Sequence, residues 1–490
     1  MDAINAQANG TIAERLAALI CAFDKSRLTA KALSQAKMCI IDTVGVTLAG
    51  VPEPCTQILL KTPGVADAPG PALIAGTERR TSALDATLIN GTASHALDYD
   101  DFSGVLGGHH SVPLVPMLIA LAEDRRCNGE QLLLAYVIGV ETEIRLSRAV
   151  NFHHYDKGWH PTATLGVIGA AAAASHMLGL EAERTATALA IAASLASGIK
   201  ANFGTMVKPL HIGQCARNGL LAALLAEGGY DAAADAYEHH QGFLNVFNGP
   251  GTFDIEKAFA NWGEPLEIEA DTIGLKQFPC CGSTHPAITM MLDLVREEKI
   301  TPADVAAIEI LPHGRRLRHT DTPHPTTPLE AKFSVQYVVA RALVDQAVRL
   351  KHFEGEAHTE PAISALLAKT QARPHPDMAD DAAEQWGAEV IVTTNDGRKL
   401  SRRIENLVGR GGSRPMRSDE MWEKFNDCAK RVLRRDQIAP LFERLETIEK
   451  MTDIGQLTRL MQATASDTAP RKVTFAPASA QEAPETNWVP

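Results

Sequence analysis

Aromatic residues are scarce in this chain. Phe, Trp and Tyr together make 5% of its 490 residues, too few to build base-stacking platforms for single-stranded nucleic acid. A cationic surplus is missing too: the formal net charge is −12, which argues against general nucleic-acid binding but leaves room for a local cationic pocket. Among the eight cysteines, Cys21, Cys39, Cys55, Cys127, Cys215, Cys280, Cys281 and Cys428, no C-x-x-C occurs, so neither a zinc ribbon nor a thioredoxin-type site is indicated. No H-E-x-x-H and no 2-His-1-carboxylate spacing is visible, and no metal site is expected. G-x-G-x-x-G and G-x-x-x-x-G-K-[ST] are also absent, which disfavours a dinucleotide or nucleoside-triphosphate enzyme. The longest uncharged run, residues 159–180, is mostly Ala and Gly with Thr, Ser and two His, a poor membrane span. The stretch MDAINAQANGTIAERLAALI lacks the basic start and unbroken apolar segment of a secretory signal, so a reduced, cytoplasmic protein is expected.

What is present is an ordinary globular composition, 45% hydrophobic and 22% charged, long enough for two domains with a substantial core. Helical periodicity runs from Ile12 to about Val150: Ile12, Leu16, Ile20 and Phe23 form one stripe, and helices are expected over 36–48, 82–96, 113–123 and 129–148. Residues 165–179 and 182–197 are rich in Ala and Gly. Small side chains let helix backbones approach closely, so these read as central helices of a bundle. After Gly251 the texture changes. Residues 306–311 (AAIEIL) and 388–394 (AEVIVTT) read as strands, the second followed by Asn395-Asp396-Gly397 and RKLSRRI as a hairpin. Helices are expected between them at 329–343 and 361–370. The fold class is therefore mainly α: an all-helical domain over 1–268, rejoined by 406–460, and a smaller α+β domain over 269–405. Residues 463–490, rich in Ala, Pro, Thr and Ser, read as a disordered tail.

Residues 201–229, ANFGTMVKPLHIGQCARNGLLAALLAEGG, organise the chemistry. Ala216, Leu220, Leu221, Leu224 and Leu225 recur at helical spacing, whereas Gly204 and Pro209 are read as breaking the first half. That places Lys208 and His211 at a helix mouth, where cations and free backbone N–H groups together suit an anion. Three further clusters are rich in titratable groups: Asp98-Tyr99-Asp100-Asp101 with His109-His110, residues 153–160 (HHYDKGWH), and residues 276–285 (KQFPCCGSTH). A set rich in His, Lys and Tyr suits proton transfer on an anionic substrate better than divalent-metal binding. Plainer readings stand beside these: Asp98 orienting His110, His153 and His154 as surface residues with no catalytic part, and Cys280-Cys281 as small core hydrophobes.

Five segments in order resemble the MmgE/PrpD family: IDTVGVTLAG (41–50), HALDYDDF (95–102) with HHSV (109–112), GWHPTATLG (158–166), GTMVKPLHIGQCARNG (204–219) and LKQFPCCGSTHPA (275–287). The resemblance spans about residues 10–455. It implies a large all-helical domain, a smaller lid-like α+β domain, an active site between them and a homodimer. Family activities are 2-methylcitrate dehydration, cis-aconitate decarboxylation and iminodisuccinate epimerisation, none needing a metal or cofactor, all moving a proton beside a carboxylate of a small di- or tricarboxylate.

Carried over by motif, the resemblance assigns His110, Asp98, His160, Lys208 and Tyr155 to catalysis. Lys276, His285, His211 and Cys281 are assigned to substrate binding. Lys208, Lys276 and His285 would hold carboxylates while His110, oriented by Asp98, and His160 act as acid and base. Epimerisation would instead use Lys208 and Tyr155 on opposite faces of a carbon. The chain departs from the family pattern at Cys281, where decarboxylase-like members can carry histidine, at Phe102, near a threonine position, and at HHSVPL, which replaces the G-H-P-S-D-N run of the methylcitrate dehydratases. The expectation is a cofactor-independent lyase. An epimerase is the alternative, and a non-catalytic binding protein on the same fold is a third reading.

Overall fold

The computed structural model describes residues 10–378, 386–405 and 415–463. The stretch read as a disordered tail lies almost wholly outside them. The chain divides into two compact units, the first built from Met1–Leu275 and the chain from Met421 on, the second from Lys276–Glu420.

The first unit is helical because its sequence alternates capping residues with apolar stretches. Helix α1 (Ile12–Cys21) starts on a capping box in which Thr11 accepts from the Glu14 amide and Glu14 accepts from the Thr11 amide. Helix α2 (Ala30–Gly50) is capped by Thr29 and α3 (Ala83–His95) by Ser82. Helices α4 (Val115–Arg125) and α5 (Gly129–Val150) follow, the latter on an Asn128/Gln131 capping box. Then come α6 (Gly166–Leu178), α7 (Ala182–Ser194) and α8 (Val207–Glu227). In α6, the run from Gly166 to Ser175 is entirely buried, as its small side chains predict for a central helix. No single helix among the described residues is long and apolar enough to cross a membrane.

One expectation is corrected here. Gly204 and Pro209 do not separate Lys208 from the helix: α8 begins at Val207 and carries Lys208, Pro209 and His211 in its first turns. Gly204 takes φ +81° just before it, and Pro209 is the third helical residue. The amide it lacks belongs to the first turn, whose N–H groups have no intrahelical partner in any case. Lys208 and His211, three residues apart, therefore share one helix face.

Helix α8 packs most extensively on α3 and also on α6. Glycines set these contacts. A Cβ on Gly213 would lie 2.1 Å from the Leu88 carbonyl oxygen and 2.3 Å from Thr92 Oγ1, and one on Gly219 would lie 2.5 Å from Ala170 Cβ. The ends of α3 and α8 are thereby held at near-backbone contact, and both ends carry chemistry.

In the second unit, α9 (His285–Glu298) and α10 (Val335–Asp345) pack with a four-stranded sheet of β1 (Val305–Pro312), β2 (Thr370–Ala372), β3 (Ala388–Thr394) and β4 (Lys399–Ile404) in the order β2-β1-β3-β4. Only β1 and β2 run parallel. Along β3, Ala388, Val390, Val392 and Thr394 are buried while the residues between are half-buried, the period-2 alternation of a one-faced sheet. The β3–β4 hairpin turns at Asn395-Asp396-Gly397, with Gly397 at φ +87°. The single helix expected over 329–343 is two: Pro328–Lys332 ends at Phe333, and Ser334 caps α10 by accepting from the Tyr337 amide. Helix α11 (Ser418–Ala429) leads the chain back to the first unit, where α12 (Arg435–Glu446) follows.

Replacing Gly213 by Ala forces α3 and α8 apart. The expected result is a loss of about 1–3 kcal/mol and a lower thermal midpoint, read by calorimetry. An unchanged midpoint would show that the α3–α8 contact is not tight.

Candidate active site of the helical unit

Helix α3 ends at His95, and the loop that follows turns sharply because Asp98 adopts φ +51°, a left-handed conformation that Asp tolerates better than most residues. The loop is pinned twice. Phe102 and Ser103 pair with Gly274 and Ile273, and the His109 amide donates to Thr162 Oγ1 at 3.0 Å. These ties bring His95, Asp98, Asp100 and His109 opposite the first turns of α8.

There, Lys208 Nζ donates to Asp98 Oδ1 at 2.9 Å, and His109 Nε2 lies 3.5 Å from the same oxygen. Behind them Asp100, fully buried, takes His95 Nδ1 at 2.9 Å and His109 Nδ1 at 2.8 Å on Oδ2. His160 Nδ1 sits 3.3 Å from His211 Nδ1, so one ring donates and the other accepts. The rings pack together: His95 meets His109 edge-on at 4.6 Å and lies 6.1 Å from His160, while Phe203 stands edge-on to His160 at 4.8 Å.

Burial pushes the His95 ring down to about 4, only partly offset by Asp100. Burial, followed by the Lys208 charge, holds His160 well below the ordinary imidazole range and lowers His211 as well. Burial would raise Asp100, but the two imidazoles that donate to it together outweigh that effect and keep it well below the usual carboxylate range. At neutral pH His95, His160 and His211 are therefore uncharged, beside Lys208 and the Asp100 carboxylate. That set can bind an anion and exchange protons with it. One donor atom each from His95, Asp98, Asp100 and His109 lies within 4.8 Å of the others, as do Cys39, Asp101 and His110. These are the donor types a divalent cation takes, although in the first group the donors bond one another.

Of the residues expected from sequence, Asp98, His160, Lys208 and His211 come together. His110 does not join them. It is fully buried, with Nε2 3.4 Å from Asp101 Oδ2, and burial drives it down to about 3. Asp98 does not orient it, because Asp98 faces Lys208 and His109. In the His109-His110 doublet the sequence cannot say which ring turns inward; the Thr162 tie to the His109 backbone decides. Tyr155 is buried, and burial pushes it up to about 12. Lys200 Nζ lies 3.3 Å from its ring centroid, and among the described residues no hydrogen bond joins it to Lys208. Lys276, Cys281 and His285 lie in the second unit, all three buried. There the Cys281 amide donates to the Lys332 carbonyl at 3.0 Å, and His319 Nε2 lies 2.9 Å from Ser283 Oγ.

Sequence reasoning set Asp100 and His109 in a cluster rich in titratable groups but gave them no role, and it passed over His95 and Phe203. His95 and Asp100 stand inside HALDYDDF, but five residues apart across a helix end they carry no periodic signal. His154, read as a surface residue, is fully buried, with Nδ1 3.1 Å from Asn248 Oδ1 and Nε2 2.8 Å from Thr164 Oγ1. His153, on the same short helix, is exposed.

Comparison with known proteins places this geometry in context. A family model described as the MmgE/PrpD N-terminal domain matches residues 14–256, and one described as the MmgE/PrpD C-terminal domain matches residues 278–446. The chain is 29% identical over 462 residues to a cis-aconitate decarboxylase of Homo sapiens, covering 92% of this chain and 95% of the human protein. It is 27% identical over 464 residues to that of Mus musculus, covering 92% and 93%. To the cis-aconitate decarboxylase of Aspergillus terreus it is 26% identical over 453 residues, covering 88% and 91%.

The buried His154 supplies a pH test independent of substrate. Burial lowers it to about 4, whereas an unfolded imidazole titrates near 6.5. Its contribution is therefore fully present above pH 6.5 and is lost as the pH falls toward 4. At pH 5 that loss is about 2 kcal/mol, at about 1.4 kcal/mol per pH unit. His154→Gln is expected to flatten the fall in denaturant midpoint between pH 7 and 5. An identical slope in both proteins would mean that this ring is not held neutral.

Proposed function

The chain belongs to the MmgE/PrpD family, and from that premise we propose that it is a cofactor-independent lyase that decarboxylates a small tricarboxylate, with cis-aconitate as the substrate. The observation that carries this reading is the meeting of Lys208 and His109 on one oxygen of Asp98, with His160 packed against His95 and His211. The decarboxylase names of the relatives favour it over dehydration.

In this reading Lys208 exchanges Asp98 for a substrate carboxylate, so Asp98 holds the ammonium in place while the site is free. Losing CO2 from the methylene arm of cis-aconitate leaves an electron pair that forms a new terminal C=C bond. The original double-bond pair then takes one proton at the carbon beside a remaining carboxylate. An imidazole must deliver that proton, and His109 Nε2 and His160 are the rings that stand beside Lys208. Buried rings are suited to it, because water is kept from competing for the carbanion-like centre.

Proton NMR of the full-length protein in D2O with cis-aconitate, 2-methylcitrate and citrate tests the proposal. Expected is itaconate carrying one solvent deuterium from cis-aconitate only, with kcat/KM reduced by about 100-fold or more in Lys208→Ala and His109→Gln. Dehydration of 2-methylcitrate in place of decarboxylation would make it a hydro-lyase. Deuterium uptake without a new carbon skeleton would make it an epimerase.

A further inference from the structure

The carboxylate of Asp100 is shared between two rings. Its Oδ1 and Oδ2 lie 3.0 and 2.9 Å from His95 Nδ1, and its Oδ2 lies 2.8 Å from His109 Nδ1. His109 Nδ1 is also 2.7 Å from the Asp101 carbonyl oxygen, which can only accept. A nitrogen facing two acceptors carries the proton. His109 is therefore Nδ1–H when neutral, and its lone pair sits on Nε2, the atom facing Asp98 and Lys208. His95 Nδ1 faces only the carboxylate, so the same argument fixes its proton there. Its Nε2 is fully buried and has no hydrogen-bond partner among the described residues.

We propose that Asp100 is a positioning residue that locks His95 and His109 together in the Nδ1–H form, so that His109 Nε2 exchanges the proton with substrate while His95 and Asp100 respond with it as one unit. This rests on the proton transfer proposed above for its catalytic consequence, but not for its structural one. A carboxylate has acceptors for both rings. An asparagine has one acceptor oxygen and one donor nitrogen: with the nitrogen in the place of Oδ2 both Nδ1–H groups meet a donor, and with it in the place of Oδ1 the His95 Nδ1–H meets one at 3.0 Å. A ring that meets the donor must move its proton to Nε2 or weaken its bond. In serine proteases the equivalent Asp-to-Asn change leaves the geometry intact but costs about 10⁴ in kcat through the wrong tautomer.

The charges facing this unit come from several elements. Asp98, Asp101 and His110 share its loop, Lys208 comes from α8, His160 from the start of the helix Pro161–Thr164, and Asp42 from α2. Removing the Asp100 charge takes away the carboxylate nearest both Nδ1 atoms, which disfavours the imidazolium. The acid limb of the rate profile should then move to lower pH.

The test uses the full-length protein labelled with 15N-histidine and needs no substrate. Two-bond 1H–15N correlation is expected to show the His95 ring as a neutral Nδ1–H tautomer near pH 7 and the His109 ring as the Nδ1–H tautomer wherever it is neutral, assigned with His95→Gln and His109→Gln. In Asp100→Asn at least one of the two is expected to switch to Nε2–H or to lose its ordered pattern. Kinetically, Asp100→Asn should lower kcat about 100-fold or more with KM within about threefold, and move the acid limb down by about one pH unit. Asp100→Glu should recover part of kcat. Nε2–H tautomers in the parent protein overturn the proposal, whether or not Asp100→Asn folds. An unchanged kcat and pH profile in a folded Asp100→Asn also overturns it. Locked tautomers in a protein that leaves cis-aconitate untouched would overturn the assigned reaction but not the lock.

Discussion

The close approach of α3 and α8 is the constraint on which the site depends. Helix α3 delivers His95 and the loop bearing Asp98, Asp100 and His109; helix α8 delivers Lys208 and His211. Each set is inert alone. They meet because Gly91 and Gly213 let the two backbones touch, with a Cβ on Gly91 reaching 2.9 Å from Gly213 Cα. The lysine–aspartate bond that closes the site then joins the first turn of α8 to the loop that follows α3.

Charge is sorted by hydrogen bonding more than by depth. Asp42, Asp100 and Asp101 are all buried. Burial pushes Asp42 up to about 7 even though Lys424 pairs with it. Asp101, whose side chain accepts from the Ser111 hydroxyl, is likewise pushed by burial to about 7. Glu143, with neither oxygen hydrogen-bonded, is raised well above the ordinary range by burial and then by Asp101. Asp100 is as deep as any of them and stays ionised because two imidazole N–H groups donate to it. Beneath the site lies a layer of carboxyls poised to be neutral, and at the site one that holds its charge. Since an unpaired buried anion is costly, this concentrates the negative charge where a donor pair can use it.

Much of the architecture was legible. The 3.6-residue stripes located most long helices of the first unit to within a few residues, although α2 begins at Ala30, before the expected Ala36, and the alternation AEVIVTT followed by Asn-Asp-Gly located the β3–β4 hairpin. These signals are local: a cap, a turn and a buried face each show in neighbouring residues. Pro209 misled because proline breaks a helix only where an amide is needed, and its distance from the helix start was not visible. Ser334 split a helix that hydrophobicity alone would have continued.

The sequence by itself determined the type of the long helices and of the β3–β4 hairpin, the family resemblance, and the presence of Asp98, His160, Lys208 and His211 in segments that carry chemistry. Tertiary structure alone decided which of two adjacent histidines enters the site, which of the two buried aspartates of DYDD keeps its charge, and that His95 takes part. The reason is physical. A backbone tie such as His109 to Thr162, 53 residues apart, turns one side chain toward the site and leaves its neighbour buried beside Asp101, and the charge state follows from the partners met there. Neither leaves a trace in local spacing.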